Sequence, residues 1–384
     1  MSTVPSPPDT TQTARRRGLR GCVLPATMLV LLLSVLVNLV FVLGYAGVIS
    51  DPLSDAPNGV EEHLYLGDAR ARDKIAIVRV SGVISESGIA FPVRQLRAAA
   101  ADRRVKAVVL RIDSPGGTVS ASEELYQCVV NVRDNTGRRF AGTAPKPVSV
   151  SMGALAASGG YYIAVAGHPI VAERVTITGS IGVFAALPNV AELAHNTGVK
   201  LELVKAGGIK ASGSFFHKLT PEERQTWQDT VDNAYDTFLD VISKGRPELS
   251  TDALRNTVVL ERTVPRRDEK GNPEPGEAQK PTVKYTRIRA DGGTFTAPQA
   301  YQFKLIDGIE DLPSAVRSAA ARNGLPNFKA VIYEKPSGLV EKVTGLPLGR
   351  QGNPLNWPDV SGALTPRLWY LSPSADAGLL APVP

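Results

Sequence analysis

A hydroxyl and an amine in this 384-residue chain sit in surroundings suited to covalent catalysis. Ser158 lies in Met152-Gly153-Ala154-Leu155-Ala156-Ala157-Ser158-Gly159-Gly160-Tyr161-Tyr162, among small residues where a helix is expected to begin. Small neighbours let a substrate backbone approach, and donors at a helix start stabilise charge developing on an attacked carbonyl. Alone, such a serine is more commonly a helix N-cap. A nucleophilic serine also needs a base. None of the four histidines, His63, His168, His195 and His217, falls in a recognisable triad context, and a surface position is expected for each. Lysine is the other option. A free lysine amine, with a pKa of about 10.4, must be desolvated before it accepts a proton at neutral pH. Lys210, in Lys205-Ala206-Gly207-Gly208-Ile209-Lys210-Ala211-Ser212-Gly213, has the small and apolar neighbours that suit this. By itself it reads as an exposed loop lysine, and it is the combination with Ser158 that points to a Ser–Lys pair.

Two further turns carry chemistry. Asp113-Ser114-Pro115-Gly116-Gly117 directly follows an apolar run, where its glycines let backbone N–H groups approach a phosphate, a thioester carbonyl or a peptide oxyanion. An ordinary tight turn remains the alternative. Thr178-Gly179-Ser180-Ile181-Gly182-Val183 is similar, and Ser180 either orients a base or caps the turn.

The elements that must position these turns alternate. Strands are expected at 74–80, 105–112, 148–152, 170–177 and 199–204, and helices at 93–101, 119–132, 158–166 and 190–196. This alternation predicts an α/β fold with mainly parallel pairing. The clearest helix spans Pro221 to Lys244, opened by a Thr220/Glu223 capping box with Pro221 at its first position and stopped by Gly245. Trp227, Val231, Ala234, Phe238 and Ile242 form its apolar face, read as core or subunit contact. Residues 261–296 are charged and rich in Pro and Gly, which reads as an inserted loop or hairpin touching none of the proposed catalytic residues.

The flanks differ in character. Residues 1–20 read as a disordered cytoplasmic tail, 21–49 as a transmembrane anchor and 50–73 as a polar linker. Val23–Leu43 is almost continuously apolar and matches the roughly 20 residues of a spanning helix. Arg15, Arg16, Arg17 and Arg20 precede it, predicting a cytoplasmic N-terminus and an extracytoplasmic body at the inner (plasma) membrane. Signal-peptide cleavage near Tyr45-Ala46-Gly47 is the competing expectation. The body occupies 74–335, and 336–384 form a partly disordered C-terminal extension with no function assigned. The net charge of +6 is not interleaved with aromatics in any nucleic-acid-binding motif, so DNA and RNA are not expected partners. Cys22 and Cys128 give neither a disulfide framework nor a zinc spacing.

In their order and separation, Asp113-Ser114-Pro115-Gly116-Gly117, Ala157-Ser158-Gly159-Gly160-Tyr161-Tyr162 and Thr178-Gly179-Ser180-Ile181-Gly182-Val183 resemble the signal peptide peptidase A family. Val231-Asp232-Asn233-Ala234-Tyr235 and Val241-Ile242-Ser243-Lys244-Gly245-Arg246 extend the likeness, which covers roughly residues 74–260 and 297–335. The resemblance implies a ClpP/crotonase-like fold, a repeated β-β-α superhelix. It also implies Ser158 as nucleophile, Lys210 as general base, Ser180 as the residue holding the lysine amine, and the N–H groups of Gly117 and Gly159 as oxyanion hole. It further implies peptide substrates, no metal or organic cofactor, and a ring-shaped homo-oligomer in which Ser and Lys come from neighbouring subunits. The residues 261–296 depart from the family's compact pattern. A catalytically silent membrane scaffold and an acyl-CoA-processing, crotonase-like enzyme are the competing functions.

Overall fold

The computed structural model describes residues 27–35, 38, 59–136, 143–263, 282–336 and 368–371. The chain divides into one unit of Met1–Asp55 with Ser337–Leu346 and another of Ala56–Pro336 with Pro347–Pro384. In the first, helix α1 is described at residues 27–35 and 38, all of them exposed. Among the described residues no helix is long and apolar enough to cross a membrane. The rest of the expected anchor, with the tail before it, lies outside the described residues.

The second unit runs β1 (Glu61–Gly67), β2 (Lys74–Ser81), α2 (Ala90–Ala101), β3 (Val105–Ser114), β4 (Gly116–Thr118), α3 (Val119–Asp134), β5 (Val148–Ala157) and α4 (Gly159–Ala164). Next come β6 (Ile170–Ala172), β7 (Ile177–Gly179), β8 (Phe184–Ala185), α5 (Ala191–Thr197), α6 (Pro221–Gly245), α7 (Thr251–Arg255), β9 (Thr257–Thr263) and β10 (Thr282–Ile288). The last are β11 (Thr294–Thr296), α8 (Ala297–Gln302), β12 (Gly308–Ile309), α9 (Leu312–Arg322), β13 (Lys329–Glu334) and β14 (Leu368–Leu371).

The principal sheet has the order β1-β13-β2-β3-β5-β6-β12, with β7 joined to β5 and β11 to β7. Pairing from β13 through β12 is parallel, and β1 on β13 and β11 on β7 are antiparallel. The mixed α/β architecture with a mainly parallel sheet is therefore as expected. Period-two alternation sorts the central strands onto two faces. Ala76, Val78, Val108 and Leu110 pack in one core with Leu96 of α2 and Leu125 and Val129 of α3. Ile75, Ile77 and Val109 turn to the other face, against Val316, Ala319 and Ala320 of α9. Strands buried on both sides in this way carry continuous apolar runs, which made 74–80 and 105–112 readable.

Several expectations are revised. Residues 61–67, within the expected linker, form edge strand β1 paired with β13. The single strand expected at 170–177 is two, β6 and β7, separated by a turn in which the Thr176 N–H bonds the Glu173 carbonyl. No strand forms at 199–204, because the run finds no neighbour in its own chain and every residue from His195 to Lys210 is exposed. The segment 261–296 begins in an antiparallel hairpin, β9 with β10, whose connecting residues lie outside the described set. In α6 the capping box of Thr220 and Glu223 is present, and Ala234, Phe238 and Ile242 are buried while Trp227 and Val231 are half-buried. Cys128 is a buried free thiol, and Cys22 lies outside the described residues.

The outer edge of the sheet is fixed by a buried charge. The Lys74 side chain is 2% exposed and donates to Glu62 of β1 at 2.5 Å and to Asp102, after α2, at 2.8 Å. Burial alone would raise the Asp102 pKa, but hydrogen bonds from Lys74 and from Arg104 outweigh it and hold the carboxyl at about 2. A carboxyl whose folded pKa is depressed stabilises the fold above its unfolded pKa and loses that contribution as pH falls through the folded value. Lys74→Met strands two carboxylates and should cost about 3 kcal/mol in thermal unfolding above pH ~4. That cost should shrink steadily as the pH approaches 2, and a penalty equal at both pH values would show that the ion cluster does not work as described.

Candidate active site

Three adjacent parallel strands end on the same side of the sheet, and each runs into one of the glycine turns. Strand β3 continues to Ser114, whose Oγ donates to the Gly82 carbonyl at 2.6 Å and accepts from the Gly116 N–H at 3.1 Å. This staple sets Gly116 and Gly117 against residue 84. The Ile84 N–H bonds the Gly116 carbonyl at 2.8 Å, and the Thr118 N–H bonds the Ile84 carbonyl at 2.9 Å. A Cβ on Gly117 would lie 1.8 Å from the Ile84 carbonyl oxygen, so only glycine fits. Because N–H and C=O directions alternate along a strand, the polar groups of Gly117 itself face away from Ile84.

Strand β5 runs ten residues to Ala157, and Ser158 follows in a sharp turn before α4. Its backbone is at φ 53° and ψ −116°, a conformation costing about 1–3 kcal/mol for a residue with a Cβ. The turn is held by the Ser158 N–H on the Gly179 carbonyl at 2.7 Å and by the Tyr162 N–H on the Ser158 carbonyl at 2.9 Å. The side chain makes no capping hydrogen bond. Ser158 is 1% exposed, and its Oγ has no hydrogen-bond partner. An orphaned buried hydroxyl costs about 1–3 kcal/mol more. An N-cap serine would show the opposite, so strain and orphaning on one residue mark a group kept ready for something else. Gly159, the first residue of α4, has an N–H without an intrahelical acceptor.

Strand β7 ends at Gly179, beside Ala157 in the parallel register. Ser180 follows at φ 51°, with its N–H on the Gly293 carbonyl and its Oγ on the Gly292 carbonyl, both at 2.9 Å. The segment 261–296 therefore does touch a proposed catalytic residue, contrary to the sequence reading. Arg287 fixes Gly292 and Gly293 in place. It pairs bidentately with Asp291 at 2.7 and 2.8 Å, donates to the Thr294 carbonyl at 2.8 Å and stacks 4.3 Å from the Phe295 ring centroid.

Lys210 is placed elsewhere. It lies in the exposed run that ends at residue 210, in a turn tied to α6 by Trp227 Nε1 donating to Ser212 Oγ at 2.7 Å. The structure brings together Ser158, Gly159, Gly117 and Ser180, but within one chain it does not bring Lys210 to them. Nor does another base take its place. The two buried lysines among the described residues, Lys74 and Lys146, lie at the opposite ends of the strands, where β2 and β5 begin. Lys146 lies just before β5 and Ser158 just after it, so they are separated by roughly 30 Å of strand at about 3.3 Å per residue. Of the histidines, His63 pairs with Glu334, His168 with Asp307 and His217 with Glu223, and His195 is exposed. The sequence reading missed β8 and β14, which flank this site. The sequence signal was Leu368-Trp369-Tyr370-Leu371, two strand-forming aromatics between leucines in a Pro- and Gly-rich stretch.

Comparison with known proteins places this arrangement. Residues 141–258, which hold Ser158, Ser180 and Lys210, match the model of peptidase family S49. A Synechocystis protein named "Putative protease slr0021" is 30% identical over 276 residues, covering 71% of this chain and 84% of the relative. The chain belongs to peptidase family S49. Two other relatives are longer. "Protease 4" of Haemophilus influenzae is 36% identical over 203 residues, covering 51% of this chain and 30% of that protein. "Serine protease SPPA, chloroplastic" of Arabidopsis thaliana is 30% identical over 282 residues, covering 70% of this chain and 35% of that protein. This chain thus spans about a third of those two and most of the Synechocystis relative.

The Gly117 contact gives a direct check on the site. Gly117→Ala should lower the thermal unfolding temperature, since overpacking costs about 1–3 kcal/mol, and should slow fluorophosphonate labelling of Ser158. A variant that melts and labels like the parent would mean that Ile84 and Gly117 are not in contact as described.

Proposed function

We propose that this S49 member is a membrane-anchored serine endopeptidase that cleaves signal peptides or other membrane-derived peptides, with Ser158 as nucleophile and Lys210 of a neighbouring copy as general base. The observation that carries this reading is the buried, unbonded Ser158 hydroxyl on a strained turn beside the backbone donors of Gly117 and Gly159. In the proposed reaction Ser158 Oγ attacks the scissile carbonyl and passes its proton to the lysine amine. The oxyanion accepts hydrogen bonds from Gly117 and Gly159. The protonated lysine then supplies the proton to the departing amine, and a water deprotonated by the same lysine hydrolyses the ester. Ser180, donating to Gly292, keeps lone pairs free to accept from the lysine amine and hold it.

Assembly is what this mechanism requires. In the single chain Lys210 is exposed, and cover by a second copy would strip water from it, which favours the neutral amine. The run leading to Lys210 supports such cover, because Val199, Leu201, Leu203, Val204 and Ile209 are all exposed and Val204 is 99% so. A head-to-tail contact repeated around an axis closes a ring, as the resemblance to the signal peptide peptidase A family implies. The membrane anchor is supported by α1, where Met28 through Leu33 and Val35 are exposed apolar residues, and by the preceding arginines, which favour an extracytoplasmic body.

Subunit complementation tests the proposal. Ser158→Ala and Lys210→Ala should each lose about 10³-fold or more in peptide hydrolysis, with labelling abolished in the first and weakened in the second. Co-assembled, the two variants should regain part of the activity, since one supplies the hydroxyl and the other the amine. A co-assembly that stays inactive removes the shared site, and full activity of Lys210→Ala removes the lysine.

A further inference from the structure

Ser180 is shaped by a segment that the sequence reading set apart from the site. Its N–H and Oγ bond the Gly293 and Gly292 carbonyls, and the Gly292 N–H returns to the Ile181 carbonyl at 3.0 Å. Ser180 also has a positive φ of 51°. A residue with a side chain stays in that region only where its surroundings over-determine it. Gly292 and Gly293 are therefore the surface against which Ser180 is set.

What holds those glycines is an arginine near the end of β10. The hydrogen bonds of the Arg287 guanidinium go to residues just beyond it, both carboxylate oxygens of Asp291 and the Thr294 carbonyl. Asp291 in turn accepts from the Gly293 N–H at 2.9 Å. The Phe295 ring closes one face of the guanidinium, and a Cβ on Gly293 would lie 2.1 Å from Arg287 Nη2. The guanidinium thus fills the space that a side chain at residue 293 would need. Burial alone would raise the Asp291 pKa, but hydrogen bonds from Arg287 and the Gly293 N–H outweigh it and hold the carboxyl below its ordinary value. The clamp is charged at neutral pH.

A serine hydroxyl has one proton and two lone pairs. The Gly292 carbonyl takes the proton of Ser180, and this decides where the lone pairs face. We infer that Arg287 and Asp291 are positioning residues for hydrolysis: by clamping Gly292 and Gly293 they set the direction in which Ser180 Oγ meets the amine of Lys210 from a neighbouring copy. The inference rests on reading Ser180 as the holder of that amine. It adds that the charged segment 261–296 supplies part of the active-site geometry, and that its two clamp residues act through Ser180 without touching the peptide.

The experiment measures hydrolysis of an internally quenched apolar peptide by the full chain carrying Arg287→Met, Asp291→Asn or Ser180→Ala, singly and in pairs. A misplacement of about 1 Å costs about 10²-fold, so Arg287→Met should lower kcat by about that factor and leave KM within about threefold. Asp291→Asn should lower kcat about tenfold or more. Arg287→Lys keeps the charge without the fork and should not restore the rate. In the Ser180→Ala background, Arg287→Met should cost less than about threefold more, because the hydroxyl it steers is gone. Lys284→Ala, which breaks an exposed pair with Glu261 on the same hairpin, should leave kcat unchanged. Amide hydrogen exchange gives a readout independent of activity, with protection at Ser180 and Gly292 that both clamp variants lose. A kcat unchanged by Arg287→Met, a loss equally large with and without the Ser180 hydroxyl, or unchanged amide protection would each overturn the inference. If Arg287→Met does not fold, the near-isosteric Asp291→Asn carries the same comparison, and failure of both to fold makes the pair structural and overturns it as well. A parent chain that hydrolyses no peptide sinks the peptidase reading instead, while exchange still decides whether the clamp holds the turn.

Discussion

The site depends on one residue being held where its backbone and side chain are both uncomfortable. Ser158 has a positive φ, and its hydroxyl is buried without a partner. Two hydrogen bonds impose this: one from the Ser158 N–H to the end of β7, the other to the Ser158 carbonyl from the Tyr162 N–H within α4. Helix α4 is itself anchored by Tyr161, whose hydroxyl reaches the Leu305 carbonyl at 2.8 Å, and by Tyr162, which bonds Glu123 of α3 and packs 5.0 Å from the Phe238 ring. The turn is therefore overdetermined by a rigid core, which is what allows local strain to persist. The parallel sheet does the rest, because parallel strands bring the turns after β3, β5 and β7 to one side, while the buried lysines stand at the other end.

The sequence was most legible where burial imposes a pattern. The apolar runs of β2 and β3, the capping box of α6 and the three glycine turns could be read because each follows from local chemistry. The small-residue context of Ser158 pointed to the right turn, and the structure adds what spacing cannot contain, that its hydroxyl is unbonded. Long-range partners were illegible. Residues 199–204 have the alternation of a strand, yet strand formation needs a neighbour and this chain offers none. The edge strand at 61–67 reads as polar linker because one side of it faces solvent.

The lysine illustrates the same limit from the functional side. Its small and apolar neighbours suggested a desolvated amine, and in the single chain those on its N-terminal side, Ala206 to Ile209, are themselves exposed while Ala211 is buried. Composition tells which surroundings a residue could have, whereas the amount of water around it is a property of the assembled state. The turn bearing Lys210 is nevertheless mounted firmly, through Trp227 on Ser212 and through His217 on Glu223 at 2.9 Å, so the long helix α6 presents the amine as part of a defined surface.

The hairpin of β9 and β10 shows how this scaffold can absorb change beside its most constrained point. Seven residue pairs fix its register, from Thr257 opposite Ile288 to Thr263 opposite Thr282. Arg287 and Asp291 then lock the exit to Gly292 and Gly293, on which Ser180 rests. Stem and clamp set the geometry at Ser180 from residues on the near side of Thr263 and Thr282, so a change in the number of residues between those two need not reach the serine. This is a place where insertion, deletion or a grafted tag can be accommodated a short distance from a geometry that tolerates almost none.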